Sequence, residues 1–311
     1  MSTATSVPST LGLEGDDALV TLRATGRRRL ALDAFDRFRA ADGFSHTRAL
    51  AFQLTLTIVP ALITVVGLAT ALDQDGFTRV VREVLGDVAP GAAGELVTAA
   101  LRQGSAGAGQ EDGEVALAFG GLATMIAGTT AFGQLERGAN RIYGVERDRP
   151  LLRKYGTAAA LMLTAGVATV LAAILLVAGE TLADAVDLGS AFGVLRWPVA
   201  LALVVGALAL LFEIAPRRRQ PEPSWLALGS GLSAVLWLAF TGILAVLVGA
   251  SANFGVTYGP LAGTIAVLLW TFLSALALLL GLAFAAQLEA VRAGVTATRV
   301  GRDENSPGQS G

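Results

Sequence analysis

Long apolar runs alternate with polar segments along this chain, and six of the runs are long enough to cross a bilayer as helices. They cover about Leu50 to Leu72, Val115 to Leu135, Gly156 to Ala178, Trp197 to Ala215, Trp225 to Ala250 and Leu261 to Ala286. The last carries no charged residue at all. At 1.5 Å rise per residue such a helix is longer than the roughly 30 Å hydrocarbon core of a membrane. Backbone groups in that core find no water, so only a structure that pairs them internally is tolerated, and apolar runs of this length do so as helices. The pattern predicts an all-α, polytopic integral membrane protein with six transmembrane helices, short interfacial and extracytoplasmic helices, and a membrane domain spanning residues 28–292.

The polar segments predict the lesser elements. Residues 1–27 carry Glu14, Asp16 and Asp17 where a cleavable signal peptide would carry a basic region and then an apolar one, so they read as a disordered cytoplasmic tail. Residues 293–311 read as a second such tail. Between Arg28 and Asp42, Leu32, Phe35 and Phe38 recur at three-residue steps among Arg and Asp, as in a short helix lying in the cytoplasmic interface before Gly43 turns the chain into the first span. On the other side, Phe77 to Leu85 and Gly94 to Leu101 have helical spacing and are separated by Pro90-Gly91, which predicts two short helices over the outer face.

Composition agrees with the membrane class. Hydrophobic residues make up 53% of the chain and charged residues only 15%, against about a quarter in soluble domains. Charge is segregated. With six spans both termini share one side, and nineteen of the 23 Lys and Arg fall on that side. The positive-inside rule then places both termini in the cytoplasm. The basic clusters, Arg23 to Arg48, Arg137 to Lys154 and Arg217 to Arg219, read as anchors for anionic membrane lipid headgroups, so no nucleic-acid partner is expected. The outer segment from Asp73 to Glu114 is acidic, and no carboxylate spacing in it resembles a calcium loop.

Polar residues inside the spans are the candidates for function. Gln53, Thr57 and Pro60 lie in the first span, where Pro60 removes one helix hydrogen bond and is expected to kink the helix. Gln53 needs a partner in lipid, either an interhelical hydrogen bond that fixes packing or a place in the polar lining of a pathway. The second and fifth spans are rich in Gly and Ala, which permit close helix approach within the chain or in a homo-oligomer. Glu213 ends the fourth span and is expected to pair with Arg217 to Arg219; Glu289 ends the sixth. No acid or Lys sits at mid-membrane, so a relay of buried carboxylates is unsupported.

Catalytic constellations are missing. The chain has no cysteine and one histidine, His46, which lacks the partners of a Ser-His-Asp triad. A zinc-ligand set and a Gly-Lys phosphate loop are absent. Gly229-Ser-Gly231-Leu-Ser-Ala234 matches a dinucleotide fingerprint by letters, but no strand precedes it. No catalytic activity, metal or cofactor is expected. The densest polar segment, Gln134 to Pro150, offers Glu136 a partner in Asn140 and sets Tyr143 at the level of an interfacial aromatic belt.

Three stretches carry a resemblance. Ala49-Leu-Ala-Phe-Gln-Leu-Thr-Leu-Thr-Ile-Val-Pro60 resembles the first span of the YihY/BrkB family of bacterial inner-membrane proteins. Asn140-Arg-Ile-Tyr143 with its basic loop resembles the central segment of that family, and Tyr258-Gly259 with Trp270 and Gly281 resembles its closing span. The resemblance covers about Arg28 to Arg292. It implies an all-helical membrane protein of a family once labelled ribonuclease and linked to virulence, with suggested roles in export of lipids or other amphipathic molecules. Ala283 stands where many relatives have Glu, and Gln287 follows one turn later, so a role for that Glu does not carry over. The function expected is a transporter or flippase-like exporter; the alternative is a membrane structural or interaction protein that transports nothing.

Overall fold

The computed structural model describes residues 4–10, 12–72, 110–177, 189–250 and 262–295. The two outer helices expected at 77–85 and 94–101, together with Tyr258 and Gly259, lie outside the described residues, as does the C-terminal segment beyond Val295.

Among the described residues every regular element is helical. In chain order these are α1 (Gly15–Thr25), α2 (Arg27–Ala40), α3 (Gly43–Leu72), α4 (Gln110–Tyr143), α5 (Leu151–Leu161), a π-helical turn (Met162–Gly166) leading into α6 (Val167–Val177), α7 (Gly189–Ile214), α8 (Pro223–Ala250) and α9 (Ala262–Arg292). Six stretches are long and apolar enough to cross a membrane: Gly43–Val65, Gly113–Tyr143, Leu151–Ala172, Phe192–Ile214, Pro223–Val248 and Ala262–Arg292. Large apolar side chains such as Phe119, Leu122, Ile126, Ile243 and Val246 stand exposed on these helices. In water such faces would be a liability, whereas hydrocarbon covers them at no cost.

Helix α9 is the axis of the bundle. It packs against α3, α8, α4 and both N-terminal helices. Its apolar window is 39% buried, against 11% for α3. Lipid supplies no hydrophobic drive between spans, so contacts here come from close packing and interhelical hydrogen bonds. At the crossing of α8 and α9, a Cβ on Gly229 would lie 2.8 Å from the Gly281 carbonyl, and a Cβ on Gly281 would lie 2.6 Å from the Gly229 carbonyl and overlap Ser233 Oγ. Helices α3 and α4 approach as closely through Gly120, where a Cβ would fall 2.8 Å from the Thr64 nitrogen. Hydroxyl pairs complete the contacts: Thr64 with Thr124 at 2.9 Å and Thr55 with Thr271 at 2.8 Å.

Three expectations are revised. First, residues 4–25 do not form a structureless tail. Residues 4–10 run extended across the end of the bundle and α1 follows, with Ala4, Val7 and Ala18 buried. The polarity that predicted disorder is answered by hydrogen bonds to residues remote in sequence. Second, α2 forms as predicted but presents another face. It buries Leu30, Ala34, Arg37 and Phe38, which repeat at i, i+4, i+7 and i+8, and leaves Leu32 and Phe35 exposed. Its apolar stripe follows the 3.6-residue period and docks on α9. Fully burying Leu30 and Phe38 stabilises this docking by about 1.5–3 kcal/mol each. Third, α4 continues past Leu135 to Tyr143, because Glu136 and Asn140 find partners there. Helix α3 stays helical through Pro60, and the Thr64 hydroxyl donates to the Pro60 carbonyl at 2.8 Å.

Candidate functional site

Where the Lys and Arg concentrate, the ends of α4, α7 and α9 meet α2, the 215–222 loop and the N-terminal strap of residues 4–10. Three latches hold this meeting point. Arg149 donates to the carbonyls of Ile214, Ala215 and Pro216 at 2.7, 2.9 and 3.1 Å, and to Glu136 Oε2 at 3.0 Å. The last carbonyls of α7 have no intrahelical partner and carry partial negative charge, so a guanidinium is a suitable cap. One arginine thereby ends a span and neutralises a carboxylate only 1% exposed.

The second latch is Asn140. Its amide nitrogen donates to Asp148 Oδ1 at 2.9 Å and its oxygen accepts from the Arg217 backbone N–H at 2.7 Å, so one buried side chain joins α4 to two loops. Lys154 completes the group at 2.9 Å from Asp148 Oδ2. Burial alone would raise the pKa of Asp148. The hydrogen bonds from Lys154 and Asn140 and the positive charges of Lys154 and Arg137 outweigh burial and hold it below the usual carboxylate value.

The third latch is the deepest. Glu289 and Gln287 on α9 are fully buried, as is Arg37 on α2. Arg218 reaches Glu289 Oε1 at 2.5 Å and lies with its guanidinium 4.7 Å from the centre of the Tyr143 ring. Thr10 of the strap also donates to Glu289. Arg37 donates to Gln287 Oε1 at 2.8 Å, to the Thr5 carbonyl at 2.8 Å and to the Ile142 carbonyl at 3.1 Å. Burial, partly offset by Tyr143 and Glu289, pushes the Arg37 pKa down to about 10, so the side chain remains charged at neutral pH. Glu213 is not the partner of these arginines: Arg218 goes to Glu289, and Arg217 donates to the Asp148 carbonyl.

Deeper in the bundle, α3, α4, α6, α7, α8 and α9 line a half-open cavity of about 270 Å³. Its wall is mainly aliphatic and aromatic, including Leu54, Phe132, Leu208 and Trp237, with Thr169, Ser233 and Ser274 as hydroxyl-bearing points. Trp237 Nε1 donates to Ser274 Oγ at 3.1 Å, and Ser233 Oγ donates to the Ala277 carbonyl at 3.1 Å. Along α9, Leu278 in the cavity wall and Gln287 in the third latch are nine residues, or about 13 Å, apart.

The residues singled out in the sequence divide between these places. Asn140, Tyr143 and Gln287 come together in the latches. Gln53 accepts from the Thr130 hydroxyl at 3.2 Å, and Thr57 donates to the Gln53 carbonyl at 2.8 Å, so both lie on the α3–α4 seam with Pro60 further along. Trp270 donates to Thr241 at 3.3 Å and meets the Trp237 ring edge-on. His46 Nδ1 lies 3.3 Å from Gln134 Nε2. Sequence reasoning missed Arg37, Arg149 and Arg218 as hydrogen-bond donors that tie the bundle end together, because an arginine beside a span reads first as a topology signal. The available clue was Glu289, a lone acid at the end of an uncharged span. Among the described residues no group of three or more His, Cys, Asp or Glu is placed to hold a metal ion.

Comparison with known proteins locates this architecture. No solved structure matches the chain. The ribonuclease-like protein YfkH of Bacillus subtilis (strain 168) is 26% identical over 258 residues, which is 80% of this chain and 91% of that protein. The family model described as Virulence factor BrkB matches residues 34–305, from the docking helix α2 through the last span, and the chain belongs to that family of membrane proteins.

Proposed function

We propose that this protein is a transporter or flippase-like exporter that moves a lipid or another amphipathic molecule across a bacterial plasma membrane, with both termini cytoplasmic. The observation that carries the reading is the cavity of about 270 Å³ within the bundle. Ligand pockets usually measure about 300–1,000 Å³ and are mostly apolar with a few fixed polar groups. A space just below that range, walled by Leu, Phe and Trp with three hydroxyl side chains, suits part of an acyl chain better than a hydrated solute. The concentration of Lys and Arg near the termini supports the orientation by the positive-inside rule.

The test is translocation of a fluorescent phospholipid in liposomes, read by quenching from outside, together with native mass spectrometry of retained lipid. Ala277→Leu and Ala234→Leu add bulk to the cavity wall and are expected to abolish both signals while the protein remains folded. Wild-type protein that translocates no lipid, retains none and co-purifies with a defined envelope protein would replace this reading with that of a non-transporting structural protein. The ribonuclease label of the relative makes a distinct prediction, RNA cleavage by purified protein that a single substitution abolishes.

A further inference from the structure

The third latch holds more positive charge than its protein partners answer. Arg37 and Arg218 are both buried there, and Glu289 is the carboxylate between them. The carboxylate is taken by Arg218 and Thr10. Arg37 is left with three neutral acceptors, Gln287 Oε1 and the carbonyls of Thr5 and Ile142. Its second terminal nitrogen, Nη2, is buried without a partner, and so are Arg218 Nε and Gln287 Nε2. A buried cation whose hydrogen bonds all go to neutral carbonyls, beside several unmet donors, is a costly arrangement. It is the donor set an oxyanion requires.

The strap occupies the place such an anion would take. The Thr5 carbonyl accepts from Arg37 and the Pro8 carbonyl accepts from Arg218, each at 2.8 Å. Beyond these two carbonyls the strap is held by the Thr10 hydroxyl to Glu289, by Ala4 N–H to the Arg141 carbonyl at 3.3 Å, by Val7 N–H to the Tyr143 carbonyl at 3.1 Å, and by burial of the Ala4 and Val7 side chains. Its seat depends on Gly144, which has φ +74°, and a Cβ there would lie 2.5 Å from Ser6 Cα and 2.7 Å from the Ala4 carbonyl. The strap is thus a neutral stand-in over a cationic recess.

We propose that the recess formed by Arg37, Arg218, Gln287 and Tyr143 is a binding site for a phosphate-class anion, and that the anion and residues 4–10 compete for it. A phosphate oxygen accepts from a guanidinium more strongly than a carbonyl does, and two guanidiniums against one carboxylate leave a net positive charge for it to neutralise. The anion is either the headgroup of a phospholipid or a free phosphate. In the first case, a headgroup in the recess lies about 13 Å along α9 from the cavity wall, a distance its acyl chains can span. Only this identification of the carrier rests on the proposed function; occupancy of the recess is measured by binding and stands or falls apart from transport.

The test follows the strap. The chain has no cysteine, so Val7→Cys introduces a single thiol at a buried strap position with little change of volume. Full-length Val7→Cys protein is reconstituted in phosphatidylcholine vesicles, in the same vesicles containing phosphatidylglycerol, and in phosphatidylcholine vesicles with inorganic phosphate, and maleimide labelling is timed in each. Anion competition predicts labelling faster by about tenfold when charge-assisted contacts displace the strap, and Arg37→Gln in the same protein removes the acceleration. Gly144→Ala, which unseats the strap sterically, gives fast labelling without any anion and shows that the thiol reports on the strap. Acceleration by phosphatidylglycerol alone assigns the anion to a headgroup, and acceleration by inorganic phosphate assigns it to the free ion. Labelling that ignores both anions while responding to Gly144→Ala, or acceleration that survives Arg37→Gln, overturns the proposal.

Discussion

Replacing Gly281 by Ala tests whether backbone-to-backbone approach of α8 and α9 holds the bundle together. The added Cβ overlaps Ser233 Oγ and lies 2.6 Å from the Gly229 carbonyl and 2.9 Å from Ser233 Cβ. The Ser233 hydroxyl can rotate away, but it then loses its 3.1 Å bond to the Ala277 carbonyl, worth about 0.5–1.5 kcal/mol. The Gly229 carbonyl moves only if the helices separate, and overpacking of this kind costs about 1–3 kcal/mol. Ala returns about 1 kcal/mol in helix propensity. The net expectation is destabilisation by about 2 kcal/mol, roughly a thirty-fold change in the folding constant. The assay is reversible unfolding in mixed micelles, with Gly242→Ala on α8 as the matched control, since no atom lies within 4 Å of its new Cβ. The control should be neutral or more stable. Adding Ser233→Ala to Gly281→Ala should restore less than half of the loss, because the carbonyl clash persists. If Gly281→Ala behaves like Gly242→Ala, close backbone approach is not what holds α8 against α9, and the packing argument fails.

Three further outcomes follow from the same geometry. Glu289→Gln leaves Arg218 and Arg37 buried with no carboxylate and should cost about 3–5 kcal/mol in the same unfolding assay, whereas Glu289→Gln with Arg218→Met should recover much of that loss; equal costs for the single and double variants would deny the pairing. Because the Asp148 pKa is depressed in the folded state, its contribution is fully present above the unfolded carboxylate value of about 3.9 and is lost as pH falls through the folded one. Asp148→Asn should therefore flatten stability against pH in that acid range and lower it near neutrality, and an unchanged acid limb would refute this. Gln53→Leu and Thr130→Val should each destabilise slightly, with a coupling energy of about 0.6 kcal/mol between them in a double-mutant cycle; no coupling would mean that the 3.2 Å contact contributes nothing to packing.

What the sequence determined on its own is everything that depends on short range and on solvent. Six long apolar runs commit the chain to helices in lipid, since unpaired backbone is not tolerated there, and the skew of Lys and Arg to one set of loops is legible without knowing a single contact. Gly229 lies in a small-residue span and Gly281 in the closing span, but nothing in the sequence says that these two face each other. Tertiary structure decided the partners. Glu289 meets Arg218 across 71 residues, and Arg37 meets Gln287 across 250. It also turned a polar N-terminus into a packed strap, and it made Asn140 a latch between loops rather than the partner of Glu136. The physical reason is that a buried polar group takes whatever complement the fold brings within hydrogen-bond distance, and that distance is set by how helices cross. Local pattern specifies where each helix runs along the chain; only their crossing places a cation from α2 beside an amide from α9, and with it the recess under the strap.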